Sequence, residues 1–189
     1  HRRRPRTNGS RPVVGHQRVI IIDGSIDTKP FRGRESETED LGDAVIDPGG
    51  DLPALLAEID RRVLKLEQIW LTHAHIDHAG GTGTLARQLT LPMVEPHPGV
   101  QFWIDGMREQ SRIFGFPPAE AFAPDRWLAD GDTVQVGRCT LHVRHCPGHT
   151  PGHVVFYSAE AQRAFVGDVL FAGSVGRTDL PGGDHEQLL

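Results

Sequence analysis

The sequence predicts a mixed α/β domain built in layers, and two features of the chain support this prediction. Segments with helical and strand-like patterns alternate early in the chain, whereas strand-like segments follow one another late in the chain. In addition, polar clusters rich in histidine follow the ends of predicted strands, where functional sites are commonly built. With 189 residues, of which 38% are apolar, the chain can bury the core of one domain.

Hydrophobic periodicity gives the positions of the elements. Apolar residues that recur every three or four positions predict helices, and short apolar runs between turn-forming residues predict strands. A turn, Asp47-Pro48-Gly49-Gly50, separates the first clear strand from the first helix. The predicted strands are 19–22, 44–46, 69–72, 92–95, 133–136, 140–146, 153–157 and 164–166, and the predicted helices are 51–66, a stretch ending near 89, and 100–114.

Residues 1–43 differ in character from residues 44–189. The first segment is charged and rich in turn-forming residues. Apart from the strand at 19–22, it offers few apolar groups to offset the entropy of ordering. We therefore expect this atypical segment to pack poorly or to be disordered, and we expect the domain itself to span 44–189.

Charge and cysteine content restrict the partners and the compartment. The formal net charge is −5, so the chain lacks the electrostatic footprint of a nucleic-acid-binding protein, although arginines cluster in its first six residues. Cys139 and Cys146 are too few for a disulfide framework and are typical of a reducing compartment, so we expect a cytoplasmic protein. No apolar run approaches a membrane-spanning length, and we expect no membrane partner. The sequence leaves the oligomeric state open.

One short segment concentrates groups that bind metal ions. Within six residues it supplies four candidate ligands, His73, His75, Asp77 and His78. Neutral imidazoles and carboxylates are ligands that zinc, iron and manganese accept. Side chains two apart in a turn can converge on one ion while their neighbours face a second, so the spacing suits a two-metal centre. His149 and Asp168, which stand beside glycines at predicted strand ends, are further candidates.

Three motifs together resemble a known family. They are HAHIDH followed by two glycines, PGHTPGH, and VGDVLFAGSVGRTDLPGGD. From about residue 45 to its end, the chain is similar to the metallo-β-lactamase superfamily and, within it, to the small glyoxalase II-like hydrolases. The resemblance implies an αββα sandwich, in which mixed sheets are flanked by helices. The implied ligand sets are His73, His75 and His149 for one metal, Asp77 and His78 for the other, and Asp168 as a bridge.

The same resemblance implies a metal-dependent hydrolase. We expect it to hydrolyse a small-molecule thioester such as S-2-hydroxyacylglutathione by attack of a metal-bound hydroxide. The expected cofactor is zinc, as one or two ions, with iron or manganese as alternatives. Asp77 is expected to hold the second metal and to orient the hydroxide. Because a thiolate leaves readily, no strong general acid is required.

Two other functions remain open on the same residues. His73, His149 and Asp168 could form the site of a mononuclear iron oxygenase resembling the persulfide dioxygenases, which use two histidines and one carboxylate. Alternatively, the chain is a truncated metal-binding domain without activity. The family's second metal normally takes one more histidine from a loop after a final helix, and the sequence stops at Leu189 before that loop. We therefore expect a truncated fold that holds one metal tightly and the second weakly.

Other polar residues near these motifs have simpler interpretations. The remaining histidines have no assigned partner and are interpreted as structural or surface residues. Cys146 lies three residues before His149 but is interpreted as a buried structural cysteine. Arg177 either meets a substrate carboxylate or pairs with Asp179 or Asp184, and the sequence favours neither alternative.

Overall fold

The computed structural model describes residues 20–23 and 42–189. The strands in these residues are Ile20–Asp23 (β1), Asp43–Ile46 (β2), Leu66–Trp70 (β3), Met93–Glu95 (β4), Arg126–Trp127 (β5), Thr133–Val136 (β6), Cys139–His145 (β7), Val154–Ser158 (β8), Arg163–Phe165 (β9), Leu170–Phe171 (β10) and Ser174–Val175 (β11). The helices are Leu52–Arg62 (α1), Ile76–Ala79 (α2), Thr82–Leu89 (α3), Gln101–Asp105 (α4), Met107–Phe114 (α5) and His185–Leu188 (α6).

The first sheet has the order β1-β2-β3-β4-β5 and is parallel except at one edge. β1 pairs antiparallel with β2, whereas β2 to β5 pair in parallel, with helices in each connection. The carboxyl ends of the parallel strands therefore lie at one edge of the sheet. The loops after β2 and β3 meet there, and the Asp47 N–H donates to the Trp70 carbonyl oxygen at 3.0 Å.

The second sheet, β6-β7-β8-β9, is antiparallel throughout and packs against the first sheet. Alternate side chains of β6, β7 and β8 are buried, as expected for strands with one face in a core. Their inward face shares one apolar cluster with the first sheet, and the rings of Trp70 and Phe156 lie 5.9 Å apart across the interface. The predicted mixed α/β architecture is confirmed.

Helices α1 to α5 lie on the other side of the first sheet. Two apolar clusters lie between them and the strands. One joins α1 and α3 to the sheet through Val45, Leu55, Ile69, Leu85 and Ala86. The other joins α2, α4 and α5 to the loop after β3 through Leu71, Ala74, Ile76, Trp103, Ile104 and Met107. This second cluster positions the histidine-rich segment, because it anchors the apolar residues on both sides of His75.

Two predicted helices differ from those in the structure. The helix predicted over 51–66 ends at Arg62, because Val63 adopts a left-handed conformation that closes its last turn, and β3 then begins at Leu66. The helix predicted over 100–114 is divided at Gly106 into α4 and α5. Periodicity alone could not show this break, because the apolar spacing continues through it.

Part of the amino-terminal segment is described. The strand predicted at 19–22 lies at Ile20–Asp23, paired with β2. Apart from this strand, Gly42 and Asp43, residues 1–43 lie outside the described residues, so their expected poor packing and the domain boundary at residue 43 stay predictions. No helix in the described ranges is long and apolar enough to cross a membrane.

Glu95, at the end of β4, is a buried acid whose two carboxylate oxygens have no hydrogen-bond partner among the described residues. Burial, with a smaller contribution from Asp47, raises the pKa of Glu95 well above its usual value of 4.5. The folded state therefore retains a proton that the unfolded chain releases, and stability is lost as the pH rises above about 4.5.

We expect Glu95→Gln to stabilise the protein in a pH-dependent way. The gain should be small near pH 4.5 and should reach about 1 kcal/mol or more at pH 8, since each unit of pKa shift corresponds to about 1.4 kcal/mol. Denaturant unfolding at both pH values measures the difference, with the exposed Glu160→Gln as the control. The same stability difference at both pH values would contradict this expectation.

Candidate metal centre

Three histidines from two loops converge at the carboxyl edge of the first sheet. His73 and His75 follow β3, and His149 lies in the loop between β7 and β8. All three are buried, and their candidate ligand atoms lie within 4.8 Å of one another. Nε2 of His149 lies 2.9 Å from Nδ1 of His75. Residues separated by 74 positions in the sequence thus form one cluster.

A second group shares one member with the first. His73, His78 and Asp168 also have candidate ligand atoms within 4.8 Å of one another. One Asp168 oxygen lies 3.2 Å from Nε2 of His78, and the other lies 3.6 Å from Nε2 of His149. The Asp168 carboxylate therefore lies between the two groups, where a bridging ligand would be placed.

Asp77 lies at the margin of the centre. Its side chain is 46% exposed, and its carboxylate oxygen is 3.8 Å from Nε2 of His78. Among the described residues, it joins neither three-ligand group. The structure thus brings five of the six predicted ligands into these groups, and the roles of Asp77 in metal binding and catalysis stay predictions.

Asp47 orients His73 and His78 through contacts that reach the Nδ1 side of each ring. One oxygen accepts the Thr72 N–H at 2.8 Å, and the other accepts the Thr72 hydroxyl at 2.7 Å and lies 3.0 Å from Nδ1 of His78. The Thr72 hydroxyl oxygen in turn lies 3.1 Å from Nδ1 of His73. These contacts leave Nε2 of both rings for the centre. Sequence reasoning missed this role, although the acid directly after a buried strand was a visible signal.

His153 was also missed as a contributor to the centre. It is fully buried, its ring stacks on His73 at 4.6 Å, and its Nε2 accepts the Asp168 N–H at 3.1 Å. Gly167, with a positive φ of 49°, allows this approach, because a Cβ there would lie 2.7 Å from Nε2 of His153. His153 thus supports the loop that carries Asp168.

The other polar residues considered as ligands lie outside the two groups. His97 and His145 stack on each other at 4.3 Å, and His142 stacks on Tyr157 at 5.2 Å. Neither these histidines nor His185 and Cys146 join a three-ligand group in the described part of the chain. His1 and His16 lie outside the described residues.

The charge states of the cluster differ with its surroundings. Burial lowers the pKa of His75 to about 3 and that of His73 well below its usual value, so both rings are neutral near pH 7. At His78, burial acts in the same direction, but the carboxylates of Asp47, Asp168 and Asp77 outweigh it and raise the pKa. At Asp168, burial opposes ionisation, but the hydrogen bond and charge of His78, together with the charges of His149 and His153, outweigh it and lower the pKa.

The donor set fits a metal ion. Nε2 of His73 is buried and has no hydrogen-bond partner within the described ranges, and His75 faces the cluster through Nδ1, 2.9 Å from Nε2 of His149. A buried polar atom without a partner costs free energy, and a ligand that accepts its lone pair removes that cost. His149 is held similarly, because its Nδ1 donates to the Arg177 carbonyl oxygen at 2.7 Å and leaves Nε2 for the centre. Neutral imidazoles and an ionised carboxylate suit zinc, iron or manganese.

Comparison with known proteins places this centre in a family. Residues 38–189 match the family model described as the Metallo-beta-lactamase superfamily. The chain belongs to this superfamily. It is 40% identical over 147 residues to the hydroxyacylglutathione hydrolase GloC of Haemophilus influenzae, covering 77% of this chain and 69% of the relative. It is 34% identical to the probable metallo-hydrolase YqgX of Bacillus subtilis, with 77% and 69% covered.

Solved structures of the superfamily share the fold. The di-iron-bound form of TTHA1623 has a TM-score of 0.72 and 40% identity, covering 78% of this chain and 72% of that chain. The B3 metallo-beta-lactamase BLEG-1 has a TM-score of 0.71 and 37% identity, covering 80% and 73%. The expected metallo-β-lactamase fold is confirmed, and the relatives support a metallo-hydrolase with a metal-binding site.

Proposed function

We propose that this protein is a thioester hydrolase that acts on substrates of the S-2-hydroxyacylglutathione type, with zinc as the metal. The proposal is carried by the convergence of His73, His75 and His149 with Asp168 at one edge of the sheet. The similarity to the hydroxyacylglutathione hydrolase of Haemophilus influenzae supports this substrate class. A cytoplasmic location, expected from the cysteine content, is part of the same proposal.

The geometry supports an assignment of the candidate ligands to two metal ions. His73, His75 and His149 would hold one ion, while His78 and Asp77 would hold the other, with Asp168 between them. When bound, such an ion lowers the pKa of a coordinated water and polarises a substrate carbonyl. The partly exposed Asp77 carboxylate can accept a hydrogen bond from the attacking water and orient it. The leaving thiolate needs no proton donor, and none is assigned.

The two ligand groups differ in the affinity expected of them. The three histidines are buried, and two are kept neutral by burial, so their lone pairs are available to an ion. In the second group His78 contacts Asp47 and Asp168, and Asp77, beside this group, is about half exposed. We therefore propose that the three-histidine group binds its metal more tightly than the second group does.

Arg177 offers a charge for a substrate carboxylate at the rim of the centre. Its guanidinium makes two 2.7 Å hydrogen bonds to Asp179, which is one of the two arrangements considered from the sequence. Both side chains are exposed, and an exposed ion pair contributes little, so a substrate carboxylate can compete for Arg177.

We expect Arg177→Met to raise the KM for glutathione thioesters by about tenfold while kcat stays within about twofold, since one charge-assisted hydrogen bond contributes about 1.5–3 kcal/mol. Steady-state kinetics measure both constants. Arg163→Met, at an exposed arginine of β9, is the matched control. An unchanged KM in Arg177→Met would show that this arginine serves only its pair with Asp179.

The proposed function is tested by elemental analysis of the purified protein together with three assays. The assays follow thioester hydrolysis, sulfur-dependent oxygen uptake and β-lactam hydrolysis. We expect thioester hydrolysis that is lost with a chelator and restored by zinc. Oxygen uptake by an iron-loaded protein without thioester hydrolysis would favour the mononuclear iron oxygenase. Metal binding without turnover in any assay would favour a metal-binding domain without activity.

A further inference from the structure

A buried glutamine outside both ligand loops holds the backbone around His75. Gln110 lies in α5, 34 residues after Ile76, and its residue is 3% exposed. Its Oε1 accepts the Ile76 N–H at 2.9 Å, and its Nε2 donates to the Ala74 carbonyl oxygen at 3.1 Å. One carboxamide thus bonds the residue before His75 and the residue after it.

The need for this contact arises at the start of α2. His75 is the N-cap residue of α2, and in the described structure its side chain makes no capping hydrogen bond. Its ring is instead directed at His149, with the two nitrogens 2.9 Å apart. An N-cap side chain normally satisfies one of the free N–H groups of the first turn. Gln110, from another helix, accepts a different N–H of the first turn, that of Ile76, while the His75 ring faces the centre.

The same amide also bonds a carbonyl oxygen of α4, close to the break between α4 and α5. Its Nε2 donates a second hydrogen bond, of 2.7 Å, to the Trp103 carbonyl oxygen. The Trp103 ring packs edge-on against the His75 ring at 4.5 Å. Both N–H groups of the amide face carbonyl oxygens and its oxygen faces an N–H, so only one orientation satisfies all three contacts. The helix pair therefore fixes His75 through its backbone and through its ring.

From these contacts we propose that Gln110 is a positioning residue for the metal centre. It sets the backbone on both sides of His75 and the direction of α2, which carries Asp77 and His78. This inference rests on the proposed metal centre, but it requires no particular substrate. The glutamine does not itself touch the candidate ligand atoms and acts only through the loop.

Three variants at this position test the proposal. Gln110→Glu places an oxygen against the carbonyls of Ala74 and Trp103, Gln110→Met keeps the length but removes all three hydrogen bonds, and Gln110→Asn withdraws the amide by one methylene. Ser111→Ala is the matched control. Ser111 is equally buried in the same helix and bonds Met107 and Ala119, away from the histidines. Should one variant fail to fold, the remaining two keep the test informative.

Two measurements separate positioning from general stability. Metal affinity is measured by chelator competition well below the melting temperature, and hydrogen exchange of the Ile76 amide is measured in the metal-free protein. We expect all three Gln110 variants to lose about 10–100-fold in zinc affinity, the range typical of residues that orient metal ligands. Gln110→Met and Gln110→Asn, which lose or withdraw the acceptor of the Ile76 N–H, should also exchange Ile76 faster. Ser111→Ala should lower the melting temperature while leaving both readouts unchanged.

The outcomes distinguish this inference from the proposed function. Wild-type affinity in folded Gln110→Met, with a melting temperature lowered as much as in Ser111→Ala, would overturn the positioning role. A wild-type protein that binds zinc but hydrolyses no thioester would overturn the proposed function alone.

Discussion

His149→Ala should abolish tight metal binding and, with it, hydrolysis. This side chain is the only member of the three-histidine group that comes from the second half of the molecule, and it is held by the Arg177 carbonyl and lies 2.9 Å from His75. Loss of residues that merely orient ligands typically reduces affinity about 10–100-fold. Removing a ligand itself should reduce the metal affinity by more than about 100-fold. Isothermal titration with zinc measures the affinity, and a thioester assay measures the activity.

The matched control for this prediction is His142→Ala. His142 is exposed on β7, stacks on Tyr157 and joins neither ligand group among the described residues. We expect it to keep the affinity and activity of the wild-type protein. If His149→Ala retained full zinc affinity, the assignment of the three-histidine group would be wrong. Circular dichroism at the assay temperature shows whether each variant is folded.

Gly49→Ala should both destabilise the protein and displace α2, which carries Asp77 and His78. A Cβ at Gly49 would lie 1.6 Å from the Asp77 carbonyl oxygen and 2.4 Å from its carbonyl carbon. Both are backbone atoms, so no side-chain rotation relieves the overlap, and α2 has to move. We expect a loss of about 3 kcal/mol or more in the free energy of unfolding, at or beyond the upper end for overpacked sites. Denaturant unfolding measures this loss.

The displacement should also change the metal stoichiometry. Because α2 carries Asp77 and His78, moving it should weaken the second ion more than the ion on the three histidines. Gly83→Ala is the control, since a Cβ at this buried glycine of α3 would lie 3.3 Å from the Phe122 Cβ, a close contact that a small adjustment relieves. Wild-type stability in Gly49→Ala would mean that the turn after β2 and α2 are not packed as described.

The sequence by itself identified the family, and it named as candidate ligands all five residues that the structure brings into the two groups. His73, His75 and His78 are recognisable because they stand close together after an apolar strand, where a local pattern is enough. His149 and Asp168 are recognisable because each follows a glycine at a strand end. Apolar patterns also predicted to within a few residues the strands of the second sheet and those of the first sheet except the two-residue β5. In the second sheet, one-sided burial imposes an alternation that the sequence must carry.

Only the tertiary structure decided which residues support those ligands. Asp47, Gln110 and His153 act across separations of 15 to 36 residues. The position of Asp47 after a buried strand does not show which groups it bonds, and Gln110 and His153 look like ordinary polar residues in the sequence. The same is true of Gly106, whose break exposes the Trp103 carbonyl that Gln110 uses. Ligands recur in short motifs because one ion needs several groups at once. Their supporting hydrogen bonds depend on which backbone groups the packing leaves unpaired, and that is settled only when the sheets and helices have come together.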